Sequence, residues 1–156
     1  KLSTDKSNHN EIVKISENAQ ALKPGSNFPD EIFTDIDGNK KSLKSLTNKQ
    51  TVIYFWSTKS ISHLESAHKK AIEYQQKFPN TNFLSVNIDD DFISWKKALA
   101  NYNFDKNLEF HNTNYKNSKD KWVITKIHRT IILNADGTIK NAFANLFDAD
   151  FDKNLQ

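Results

Sequence analysis

Apolar residues gather into short unbroken runs separated by amphipathic stretches, a rhythm that predicts alternating strands and helices. Thr51-Val-Ile-Tyr-Phe55 is β-branched, aromatic and continuous, the pattern of a strand covered on both faces. Leu64, Ala67, Ala71, Ile72 and Tyr74 follow at spacings close to three and four, which predicts a helix from about Ser62 that ends before Pro79. Asn82 to Ile88 reads as a second buried strand. Asp89-Asp90-Asp91 then caps a helix carrying Trp95, Leu99 and Tyr102. This β-α-β-α order implies parallel strands joined by right-handed crossovers.

The flanks follow other periods. Phe28, Ile32, Phe33 and Ile36 lead to an Asp37-Gly38 turn, a small hairpin, and Leu43 and Leu46 mark one helical turn. Leu108 to His111 forms a short extended piece, and Lys116 to Ile124 a helical turn around Trp122. Thr130 to Leu133 and Thr138 to Ala142 flank the Asn134–Gly137 turn and predict an antiparallel hairpin. Phe147 to Leu155 predicts a final helix. Residues 1–20 are polar, with only Ile12, Val13 and Ile15 in a weak helical pattern. They predict a tether or frayed helix ahead of one compact unit over 21–156.

Composition narrows the class. The chain has 156 residues, 37% of them hydrophobic, and its eleven Phe concentrate buried area in large rings. A net charge of +3 comes from lysines scattered among acids, so they form a solvated surface rather than a nucleic-acid groove. No run reaches about 18 apolar residues, the length a spanning helix needs. The first residue is Lys1, which reads as a processed or excised form with a possible membrane tether upstream. The chain contains no cysteine.

Four segments in order resemble the thioredoxin-like family, specifically its TlpA and ResA branch of bacterial extracytoplasmic thiol-disulfide proteins. They are Pro24-Gly25 with Phe28-Pro29, Ile36-Asp37-Gly38 and Leu43; Phe55-Trp56-Ser57-Thr58; Phe83 to Asp89 with Trp95; and Ile127 to Gly137. The resemblance covers about residues 22 to 155. It implies an α/β fold, a thioredoxin-like three-layer α/β/α sandwich with a mixed central sheet. It also places Ser60 and His63 where the family has its two reactive cysteines, and His128 where it has a cis-proline. A cis bond before a non-proline costs roughly 2.5–4 kcal/mol, so Ile127-His128 is expected to be trans. The family's fold implies that Ser60, His63 and His128 lie near one another.

Without a thiolate there is no nucleophile for disulfide exchange. Ser60 would need a general base and an oxyanion hole to replace it, and no carboxylate is placed to orient His63. The plainer reading makes Ser60 the cap of the helix that bears His63. His63 and His128 are candidate ligands for a metal or haem, but a tight site wants three or four ligands. The candidate third ligands Glu65, His68 and His111 fit no motif spacing. Asp89 to Asp91 lacks the remaining oxygens of a calcium loop. No cofactor is therefore expected.

The expectation is a redox-inactive member of the resembled branch, periplasmic or in the cell envelope and membrane-anchored, that binds an extended peptide or another envelope protein. Its groove would comprise Trp56, Ser60, His63, His128 and Arg129. The alternative is metal or cofactor binding through His63 and His128. A label of thiol-disulfide oxidoreductase would be inherited from relatives.

Overall fold

The computed structural model describes residues 2–156, with side chains from His9 onward. Helix α1 (Leu2–Ala21) leads to a hairpin of β1 (Ile32–Thr34) and β2 (Lys40–Ser42), then a 3-10 turn over Leu43–Leu46. Strand β3 (Thr51–Trp56), helix α2 (Ile61–Lys77), strand β4 (Asn82–Asn87) and helix α3 (Phe92–Leu99) form the central β-α-β-α unit. After β5 (Glu109–His111) and α4 (Tyr115–Lys121) come β6 (Arg129–Leu133) and β7 (Ile139–Asn145), and a 3-10 turn over Phe151–Leu155.

The seven strands make one mixed sheet in the order β2-β1-β5-β4-β3-β6-β7. β3, β4 and β5 run parallel, and β6 lies antiparallel to β3. All six residues of β3 are buried, as expected for an interior strand of a sheet covered on both faces. Ile53 and Phe55 face one core with Trp122, Phe33 and Ile131. Val52 and Tyr54 face the other, with Ala67 and Ala71 of α2. Alternation along one strand thereby feeds both layers, giving the expected α/β sandwich.

Turn chemistry fixes both hairpins. Gly38 and Gly137 sit at φ +83° and +84°, a region that strains any residue with a Cβ. Asp91 caps α3 by accepting the Ser94 amide at 2.7 Å.

The C-terminal segment departs from the expected helix. Phe151 and Leu155 are buried four residues apart, so the apolar spacing is present, but only a single 3-10 turn forms. Phe147, Asp148, Asp150, Asp152 and Asn154 surround it. Asp and Asn compete with the helix for backbone groups, and here Asn145 takes the Phe147 amide at 2.9 Å. At the other end, α1 is joined to the sandwich by Asn18, which donates to the Asp120 carbonyl at 3.0 Å. Among the described residues no helix is long and apolar enough to cross a membrane.

Candidate functional site

The central strand delivers the chain to a polar corner. β3 ends at Trp56, and Ser57 to Ser60 turn the backbone into α2. Residue 60 is the first capped position, its carbonyl accepting the Leu64 amide at 3.1 Å. The Ser60 hydroxyl makes no capping bond, so the expected side-chain cap is absent. The loop is instead braced from β4. Asp90 accepts from both the amide and the hydroxyl of Thr58, and from Asn87 Nδ2 at 2.8 Å.

His63 sits on the first turn of α2, half-buried. Its Nε2 donates to the Phe55 carbonyl at 2.9 Å, and a carbonyl can only accept, so Nδ1 is the lone-pair nitrogen. Burial lowers its pKa; the Phe55 bond opposes this, while the charges of His128 and His68 add to it. The ring is thus held neutral, with burial as the main cause. His128 directly precedes β6, the strand that pairs with β3. Among the described residues no peptide bond is cis, so Ile127-His128 is trans. Ile61 is 49% exposed and Phe147 37% exposed, and the Phe147 ring lies 5.6 Å from the His63 ring. The corner is therefore a hydroxyl and a neutral imidazole framed by solvent-facing apolar groups.

Two expected groove residues lie elsewhere. Trp56 is fully buried, packed with Leu64, Trp95 and Leu99; as the last residue of a central strand it points under α3 and offers nothing to a ligand. Arg129 shares the side of β6 taken by Ile131, which packs in the core away from α2. Its guanidinium lies 4.5 Å over the Phe143 ring, and Nη1 is buried without an acceptor. Burial lowers its pKa.

The third ligands proposed for a metal are committed to other bonds. Glu65 accepts from the Tyr102 hydroxyl at 3.0 Å. His111 donates to the Asp90 carbonyl at 2.6 Å and stacks on Trp95. His68 is paired with Glu109. Among the described residues no group of three or more His, Asp or Glu is gathered to hold a metal ion.

The thioredoxin-like family model matches residues 48–139, more than half of the chain, from just before β3 to the first residue of β7. The chain belongs to the thioredoxin-like family. Solved structures share this domain's architecture. A Bacteroides vulgatus protein assigned as a thiol-disulfide oxidoreductase aligns with a TM-score of 0.74 at 24% identity, over 83% of this chain and 92% of that one. A Chlorobium tepidum protein assigned as thiol:disulfide interchange protein DsbE gives 0.70 at 15% identity, over 85% and 92%. The exposed lipoprotein thioredoxin of Streptococcus pneumoniae gives 0.57 at 13% identity, over 71% and 85%. No curated protein matches the chain. This thioredoxin-like domain contains no cysteine, so its corner carries no thiol.

Proposed function

We propose that this domain is a redox-inactive thioredoxin-like module of the cell envelope that binds an extended peptide or another protein at the Ser60, His63 and His128 corner. The observation that carries the reading is the exposed pair Ile61 and Phe147 beside a half-buried, neutral His63. An apolar rim around unused polar atoms suits an extended chain, whose side chains take the rim and whose amides take the polar groups. Ser60 Oγ and His63 Nδ1 supply such groups. Loss of sulfur leaves this arrangement intact while removing exchange chemistry. Envelope location, with membrane anchoring, draws on the likeness to an exposed lipoprotein and to a disulfide interchange protein.

Selection from a random octapeptide library tests the reading. Enriched peptides are expected to perturb the backbone signals of Ser60, Ile61, His63, His128 and Phe147, and to bind at least about tenfold more weakly to the Ile61→Asp, Phe147→Asp variant. Rim residues that are already solvent-exposed make this variant a mild one for folding. Enrichment that is equal on the two proteins would remove the corner as the site. The metal alternative gains no observation, since among the described residues no third ligand is gathered with the two imidazoles.

A further inference from the structure

Behind α2, away from the corner, a buried polar cluster meets a cavity. His68 and Glu109 are each 2% exposed, and His68 Nε2 lies 3.1 Å from both carboxylate oxygens. His68 Nδ1 is 2.8 Å from the Leu64 carbonyl, so that nitrogen carries a hydrogen. Ser85 donates to Glu109 Oε1 at 2.7 Å. The three side chains form no nucleophilic relay. Ser85 and Glu109 share the same imidazole nitrogen, and the other nitrogen is fixed on backbone.

Glu109 keeps unused capacity. A carboxylate has about four lone-pair sites; Ser85 fills one, and His68 Nε2 lies against both oxygens, donating only when the imidazole carries both protons. Glu109 is also among the residues that line a cavity of about 200 Å³ between α2, β3, β4 and the segment before β5. Its lining residues include the aromatic Tyr54, His68, Phe83 and Phe104, with Asp105 as a second acid. Phe104 stacks flat on His68 at 3.8 Å and on Tyr102 at 4.8 Å. The Tyr54 phenol is held protonated well above its usual range, first by burial and then by the Glu109 charge.

We propose that this cavity is a binding site for a small ring-bearing amine, whose ammonium is received by Glu109 and whose ring lies among Tyr54, Phe83 and Phe104. The volume admits one ring rather than a drug-sized molecule. Aromatic walls favour both a ring and an adjacent cation. Two carboxylates in the lining reject an anion of the same shape. The site lies on the far side of α2 from the peptide corner, and its success or failure does not bear on that function.

Benzylamine, toluene and benzoate are the probes, titrated into the unmodified protein and followed by side-chain NMR. Benzylamine is expected to give intermolecular contacts to the Tyr54 and Phe104 rings and to bind at least about tenfold more tightly than benzoate. Glu109→Gln, which preserves shape, is expected to weaken benzylamine by roughly tenfold or more while leaving toluene unchanged. Contacts seen in the unmodified protein need no variant to fold. Benzylamine contacts confined to other surfaces, or equal binding of all three probes, would overturn the proposal.

Discussion

Breaking the His68–Glu109 pair from one side should cost far more than removing both partners. In His68→Leu, the Glu109 carboxylate loses its imidazole partner and stays buried with Ser85 on Oε1. Removing one partner of a buried pair typically costs about 3–5 kcal/mol. In Glu109→Leu, the imidazole loses its carboxylate but keeps the Leu64 carbonyl and Ser85, so the cost should be about 1–3 kcal/mol. The double variant places apolar volume between Tyr54, Phe104 and Ser85, and such replacements are often near neutral. We expect it to lose no more than about 2 kcal/mol, a coupling of at least about 2 kcal/mol. Against a total stability of about 5–15 kcal/mol, these losses are easily resolved. Urea unfolding followed by tryptophan fluorescence is the assay, since Trp56 packs edge-on to His68 at 5.6 Å. Single-variant losses that add within about 0.5 kcal/mol would refute the reasoning, because independent sites behave that way.

Two further outcomes follow from the corner. His63 has a folded pKa below its ordinary value, chiefly through burial. The unfolded chain therefore takes up its proton first as pH falls, and stability drops from about pH 6.5 down to the folded pKa. His63→Gln should flatten that part of the profile in urea midpoints at pH 7.5, 6.5 and 5.5; an unchanged slope would contradict the assigned direction. Asp90 anchors the loop through Thr58 and Asn87. Asp90→Ala should cost about 1–3 kcal/mol and speed hydrogen exchange at the Thr58 amide, while α2 amides beyond its first turn keep their protection. Protection of Thr58 equal to that of the unmodified protein would show that Asp90 does not hold the loop.

The parallel unit was legible because each of its elements is long enough to show its period. Val52, Ile53, Tyr54 and Phe55 announce a doubly covered strand, and Leu64, Ala67 and Ala71 the helix above it. The cluster behind that helix was harder to see. His68 and Glu109 are 41 positions apart, and no local rule pairs them. A signal was nonetheless present: His68 is one turn past Leu64, on the apolar stripe, and Glu109 stands in a segment that reads as extended and proves buried. A charge buried in a strand requires a partner. A large ring beside the loop suggests contact with a ligand at Trp56, whereas strand alternation turns it under α3. Asp90 was hidden among three consecutive acids. Asp91 takes the helix cap, Asp89 turns the backbone at φ +68°, and the middle residue reaches back to Thr58.

The central claim is that this thioredoxin-like corner stands in place without its sulfur, and insulin reduction by dithiothreitol addresses it most directly. Two proteins are compared, the natural chain and the Ser60→Cys, His63→Cys variant. Positions three apart at a helix start bring their side chains to one face, within reach of a disulfide. The account predicts turnover at the reagent blank for the natural chain and a measurable rate for the variant. Turnover above the blank by the natural chain, or a folded variant whose two thiols cannot form a disulfide, would contradict it.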